Sequence, residues 1–215
     1  MIEIQEAGAI FLSPWERRIQ MRYPIITIGR EHGSGGRLIA KQLAANLNIP
    51  LYDKKLIDMI AKDSGFAEET IERAQEKKTG SFLYNLYFSM NNLPISDQIF
   101  IAQSKVIKKV ASEGPCVIVG RCADYVLRDR QDVLNVFVYA PVKDRIHRVQ
   151  EVYGEISENP ESFLKNCDKR RSSYYNFFTD LTWGDPHNHH LMINSNLGLE
   201  KAAKIIADIA QGEGR

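Results

Sequence analysis

Short apolar runs and amphipathic stretches alternate along most of this chain. Ile25-Ile26-Thr27-Ile28 is wholly β-branched and reads as a strand buried on both faces. From Arg37, the positions Leu38, Ile39, Leu43, Ala44 and Leu47 recur at the spacing of one helical face. Asn48 to Asp53 reads as a second short strand, which Pro50 confines to a strand start or an edge. Lys54 to Lys62 is helical until Ser64-Gly65 stops it, and a short Glu/Lys-rich helix lies within Phe66 to Lys78. Ser96 to Ser112 turns Ile99, Ala102, Gln103, Val106, Ile107 and Val110 to one side; Ser96 suits its N-cap and Gly114-Pro115 ends it. Cys116 to Gly120 and Val133 to Ala140 are further strands, followed by helices from Pro141 to Tyr153-Gly154 and from Pro160 to Tyr175. His190 to Asn194 makes a fifth strand and Leu199 to Ala210 a closing helix. This alternation predicts an α/β fold with a mostly parallel sheet covered on both faces, one domain with insertions at 54–95 and 155–188.

The polar breaks carry the chemistry. The first strand opens into a loop with glycine at 29, 33, 35 and 36, and the first helix starts directly after it. That order points backbone N–H groups at a phosphate: glycine allows positive φ and close approach, and the helix N-terminus adds partial positive charge. The same loop holds Arg30, His32 and Arg37, which are useful anion partners. It departs from the standard G-x-x-x-x-G-K-[ST] pattern. With Gly35 as the second glycine, Arg30 stands at the first, Gly36 at the lysine and Arg37 at the Ser/Thr. A glycine-rich turn with no ligand is the alternative.

Composition narrows the field. The 215 residues suit one α/β domain, and 44% hydrophobic with 26% charged residues is globular. A net charge of +1 gives no global attraction to nucleic acid or an anionic membrane, so neither partner is expected. Three cysteines, Cys116, Cys122 and Cys167, lack metal-type spacing and are odd in number, so free thiols in a cytoplasmic setting are expected. No run approaches the ~20 apolar residues of a membrane span. Residues 1–22 read as an N-terminal extension, and Met21 is a candidate start.

In open α/β sheets ligands bind beyond the carboxyl ends of the strands. Those ends carry the glycine loop, Asp53, and Gly120-Arg121 with Asp124 nearby. The helix from Pro160 gathers Lys165, Asp168, Lys169, Arg170, Arg171 and Tyr175 on adjoining faces, either as a solvated surface or as a basic lid hinged at Gly154 and Gly184. His187, His189 and His190 read as a chance cluster. The aromatic stretch Phe82–Phe88 reads as a packing cluster, with a base-stacking wall or a dimer surface as the alternatives.

Taken together, these residues resemble the cytidylate kinase-like branch of the nucleoside monophosphate kinases, from about Tyr23 to Ala210. The carriers are Ser34-Gly35-Gly36-Arg37, Tyr52-Asp53-Lys54, Val119-Gly120-Arg121, Asp144-Arg145-x-x-Arg148, Asp168-Lys169-x-Arg171-x-x-Tyr174-Tyr175 and Asn194-Ser195, in this order. The resemblance implies a three-layer α/β/α P-loop NTPase fold: a five-stranded parallel sheet, an NMP-binding insertion after strand two and a lid before strand five. It implies ATP and Mg²⁺, CMP or dCMP as acceptor, and a monomer or homodimer. Arg30, His32, Gly33, Ser34, Gly35, Gly36 and Arg37 would hold the donor phosphates. Asp53, Lys54, Arg121, Asp124, Asp168 and Arg171 would bind the acceptor, and Asp53 the metal. Arg37, Arg121, Lys169 and Arg171 would be catalytic, while Arg145, Arg148, Lys165 and Arg170 form the lid and its basic helix. The loop Lys and Ser/Thr of the family are absent, Val119 and Cys122 stand where acids flank its Gly-Arg pair, and Met59 stands near an expected arginine. A sensor that kept the fold and lost the chemistry, or an interaction protein, are the other readings.

Overall fold

The computed structural model describes residues 21–76 and 93–212. The N-terminal segment and the Phe82–Phe88 cluster therefore lie outside the described residues. Five strands form one sheet: β1 (Ile25–Arg30), β2 (Leu51–Tyr52), β3 (Cys116–Val119), β4 (Val133–Tyr139) and β5 (Leu191–Asn194). Their order is β2-β3-β1-β4-β5, and every pairing is parallel. Central β1 pairs Ile28 with Val119 on one side and Val136 on the other.

The helices are α1 (Gly36–Leu47), α2 (Lys54–Ser64), α3 (Glu68–Glu76), α4 (Ile95–Glu113), the single turn α5 (Ala123–Val126), α6 (Val142–Glu151), α7 (Pro160–Thr179) and α8 (Leu199–Gln211). Successive strand residues point to opposite faces, and the core divides accordingly. Ile26, Ile28, Val117, Val119, Val136 and Val138 pack with α1 and α8 on one face. Ile25, Cys116, Ile118 and Val133 pack with α2, α4 and α5 on the other. A third cluster docks α7: Cys122, Tyr174 and Tyr175 among Phe100, Tyr125, Phe178 and Trp183.

Some local expectations shift. The second strand shrinks to Leu51–Tyr52, flanked by Pro50. Pro94, not Ser96, caps α4, because the Ser96 hydroxyl sits on its own neighbour Asp97 at 3.2 Å. Helix α7 runs past Tyr175 to Thr179, opened by Asn159, whose side chain accepts the Ser162 N–H at 3.0 Å. Of the two expected hinges, Gly184 packs against Phe137, whereas Gly154 has open space about it. Among the described residues no helix is long and apolar enough to cross a membrane, and the three cysteines are free and buried.

Candidate active site: a glycine cradle backed by arginines

Helix α1 leaves β1 toward one face of the sheet, while β3 leads into α5 on the other. The crevice between the ends of β1 and β3 is a place where ligands collect in such sheets. The β1–α1 loop forms one wall. Gly33 and Gly35 both take left-handed backbone, at φ +75° and +83°, alternating in the way that turns successive N–H groups to one side. The amides of Gly33 and Gly35 meet no acceptor among the described residues. The His32 amide is already engaged, donating to Asp168 Oδ1 at 2.7 Å, and the Ser34 amide closes a turn onto Glu31 O at 3.4 Å. The expected run of amides from 32 to 36 is thus partly taken by the protein's own groups.

The second wall is the turn after β3. Gly120, Arg121 and Cys122 all have positive φ, +69°, +59° and +55°. Left-handed backbone costs non-glycine residues roughly 1–2 kcal/mol each, and such strain collects at functional sites. Gln103 Nε2 holds the turn by donating to Arg121 O at 2.8 Å, and the Gly120 N–H donates to Ile28 O at 3.0 Å. Arg121 Nη1 is buried and has no hydrogen-bond partner among the described residues.

Arginines fill the space between the walls. A Cβ on Gly120 would overlap Arg30 Nη1, so the Arg30 guanidinium lies against the Gly120 backbone. Arg171 of α7 reaches the same place, its Nη1 3.4 Å from Arg30 O and its Nη2 3.2 Å from His32 Nδ1. Burial, then the neighbouring Arg171, bring the Arg30 pKa down to about 9. Burial likewise lowers Arg121 and Arg171, with Tyr174 and Asp168 respectively opposing it. Three guanidiniums are held here with incomplete neutralisation, which an anion would relieve.

These groups line a cleft of about 670 Å³ with Glu31, His32, Gly33, Gly35, Gly36, Arg37, Asp53, Lys54, Glu72, Tyr153, Glu155, Phe163 and Arg170 among its walls. On the other side of Arg30, Arg121 and Arg171 lies a cavity of about 70 Å³, bounded by Asp124, Phe137, Tyr175, Trp183 and His189. Asp124 accepts the Tyr175 hydroxyl at 2.6 Å there. Arg37 is half-exposed and pairs with Asp53 at 2.6 Å. Among the described residues no group of three or more His, Cys, Asp or Glu side chains converges on a metal site; Mg²⁺ in phosphoryl transfer needs only one or two carboxylates beside the phosphates, and Asp53 fits that set.

Several expected lid residues lie elsewhere. Lys165 and Lys169 are exposed on α7 and line neither space, because Leu164, Cys167, Tyr174 and Tyr175 occupy the buried face. Arg145, expected on the basic helix before the lid, is on that helix and is locked in place. It is 5% exposed, pairs with Glu31 Oε2 at 3.3 Å and with Asp168, and donates to His32 O at 2.7 Å. Arg148 donates to Gly33 O at 2.6 Å from behind the loop. Asp168 is consumed by Arg145 and the His32 amide rather than turned to an acceptor. Sequence reading missed Glu31, Glu72, Tyr153, Glu155 and Phe163, and only the Tyr153-Gly154 helix stop hinted at any of them.

The family model described as cytidylate kinase-like matches residues 25–197. The chain belongs to the cytidylate kinase-like family. The match includes both walls of the crevice and the whole of α7. A solved structure of an uncharacterized protein from Eubacterium ventriosum ATCC 27560 is 31% identical, covering 86% of this chain and 97% of that one, with a TM-score of 0.67. Two more distant structures share the fold. A shikimate kinase from Bacteroides thetaiotaomicron is 14% identical over 86% of this chain and 96% of its own, with a TM-score of 0.51. A sugar kinase from Janibacter sp. HTCC2649 is 14% identical over 90% and 99%, also with a TM-score of 0.51. The comparison with curated proteins gave no match. The expected P-loop fold and family are both borne out.

Proposed function

We propose that this cytidylate kinase-like chain is a phosphotransferase that moves the γ-phosphate of ATP to a small anionic acceptor, with CMP and dCMP as the first class to test. The observation that carries this reading is the trio of Arg30, Arg121 and Arg171 beside the glycine cradle, with Arg121 Nη1 buried and unpartnered among the described residues. Phosphoryl transfer asks the protein mainly to position two anions and to cancel charge on the moving group. The Gly33 and Gly35 amides would hold donor phosphates, with Ser34, Gly36 and His32 shaping the loop and Arg37 at its mouth. Arg121 and Arg171 would hold the acceptor's anionic group, and Arg30 would stand between the two. Asp53 would hold Mg²⁺, which would neutralise donor phosphate charge; Lys54, Asp124 and Arg170 stand at the borders of the two spaces.

Arg30 carries the charge that the loop lysine supplies elsewhere. The lysine position itself is closed: a Cβ on Gly36 would lie 2.6 Å from Arg30 Cβ. A second reading, a non-catalytic nucleotide or anion sensor, is favoured by the Asp168 carboxylate already resting on the His32 amide.

A coupled ADP-release assay across CMP, dCMP, UMP and AMP with Mg-ATP tests the first reading; turnover with one of them supports it. ATP-induced thermal stabilisation without turnover on any acceptor, and independent of Mg²⁺, supports the sensor instead. No stabilisation by ATP or by any acceptor defeats both.

A further inference from the structure

The β1–α1 loop is gripped from one side by α6, and this grip sets which way its peptide groups face. Arg145 Nε donates to the His32 carbonyl at 2.7 Å, and Arg148 Nη1 donates to the Gly33 carbonyl at 2.6 Å. In a planar trans peptide, the carbonyl of one residue and the N–H of the next point in opposite directions. With both carbonyls turned toward α6, the N–H groups of Gly33 and Ser34 point away from it. The first meets no acceptor among the described residues, and the second makes only the 3.4 Å turn bond. The fit has no slack. A Cβ on Gly33 would lie 2.8 Å from Arg145 O and 2.9 Å from Val149 Cγ2, and one on Gly35 would lie 3.3 Å from the Arg148 guanidinium carbon.

Arg145 is itself held by Glu31 and Asp168, and Glu31 is steadied by the Ala140 N–H at 3.1 Å. Arg148 is half-buried and has the Gly33 carbonyl as its hydrogen-bond partner. The two arginines therefore form a bracket on the carbonyl side of the loop, opposite the side on which an anion would sit.

We infer that Arg145 and Arg148 are positioning residues that preset the His32–Gly33 and Gly33–Ser34 peptides, so that the Gly33 amide meets a polyphosphate without reorganising. The inference rests on the proposed reading of the loop as a polyphosphate site. Dipoles fixed before the ligand arrives cost no reorientation on binding, which is where preorganised sites gain affinity. An arginine at 148 thus acts through the backbone and not on the ligand.

The test uses the full chain, Arg148→Ala and Arg148→Lys, with inorganic tripolyphosphate as the probe. Amide NMR reads the loop, calorimetry reads affinity, and a melt reads folding. In the wild-type chain the Gly33, Ser34 and Gly35 amides should shift most on titration. Arg148→Ala should move the Gly33 and Ser34 resonances before any ligand is added and weaken tripolyphosphate about tenfold, at an unchanged melting temperature. Arg148→Lys, which keeps a donor, should recover part of the affinity. Equal affinities in the wild type and Arg148→Ala overturn the inference. If the wild type does not bind tripolyphosphate, the functional reading fails instead. The positioning claim is then decided by the ligand-free spectra, where unmoved Gly33 and Ser34 resonances overturn it.

Discussion

Gly120→Ala separates the backbone cost of the turn after β3 from the cost of displacing Arg30. Gly65, at the end of α2, supplies the control. Both residues have positive φ, +69° and +75°, but a Cβ at Gly65 would meet nothing within 4 Å, whereas one at Gly120 would overlap the Arg30 guanidinium. Gly65→Ala should therefore lose only the left-handed strain of about 1–2 kcal/mol. At about 2–4 °C per kcal/mol for a chain of this size, that lowers the melting temperature by roughly 2–8 °C. Gly120→Ala carries the same strain plus overpacking of a buried guanidinium, about 1–3 kcal/mol more. The functional arm differs further. Moving Arg30 from between donor and acceptor should lower turnover by about 10²–10³-fold, the usual effect of losing one preorganised charge-stabilising group. Gly65→Ala should leave turnover intact. Thermal melts and the coupled assay on both variants read the two arms. Equal melting losses would refute the packing of Arg30 on Gly120, and full activity in Gly120→Ala would refute the role given to Arg30.

Arg145→Met should cost about 3–5 kcal/mol in urea unfolding, because Asp168 and Glu31 lose their buried partner; a loss under about 1 kcal/mol would mean that the bracket is not structural. Gly36→Lys should not create a working loop lysine but should destabilise the chain, since its Cβ would lie 2.6 Å from Arg30 Cβ; pairing it with Arg30→Gly should relieve that loss, and strictly additive melts would contradict the steric link. His32 has its pKa lowered from the ordinary 6.5, by burial first and then by Arg171, with Glu155 and Asp168 pulling the other way. The native state thus holds fewer protons than the unfolded chain below pH 6.5, so stability falls as pH drops through that value. Melts between about pH 6 and 7.5 should show this slope, and His32→Gln should flatten it; Glu31, its own pKa raised by burial, acts in the opposite sense but is present in both chains, so the difference between them reads the histidine.

The strands were legible because a run such as Ile25-Ile26-Thr27-Ile28 has almost no other use than burial on two faces. Glycines 33 and 35 were legible as left-handed loop positions because a tight turn opening directly into a helix calls for positive φ there. The lid charges were not. Lys165, Lys169, Arg170 and Arg171 look alike along the chain, and only the docking of Tyr174 and Tyr175 beneath α7 decides that Arg171 turns inward and the lysines outward. Arg145 and Arg148 were legible only as the basic helix before the lid: such a helix gives no sign that its partners are backbone carbonyls. The Asn159-Pro160 start of α7 was readable, whereas the Pro94 cap of α4 was masked by a better-looking serine two residues on.

The departures from the standard loop form one linked change. A lysine at the end of such a loop needs room for its Cβ, and the first loop residue must be small enough to leave it. In this chain the two positions are exchanged in size. Arg30 stands where a glycine belongs, and its Cβ closes the space over Gly36. The guanidinium is then carried across to the β3 turn, where Gly120 alone leaves room for it and where Arg121 and Arg171 already stand. The positive charge lies between the loop and the β3 turn and is planar and multidentate rather than a point ammonium. A cation in that place can bridge two anions, whereas a lysine at the loop's end reaches mainly the donor. Under the proposed function, this geometry would favour an acceptor that brings its own anionic group to Arg121 and Arg171, and it would give a neutral acceptor little to hold.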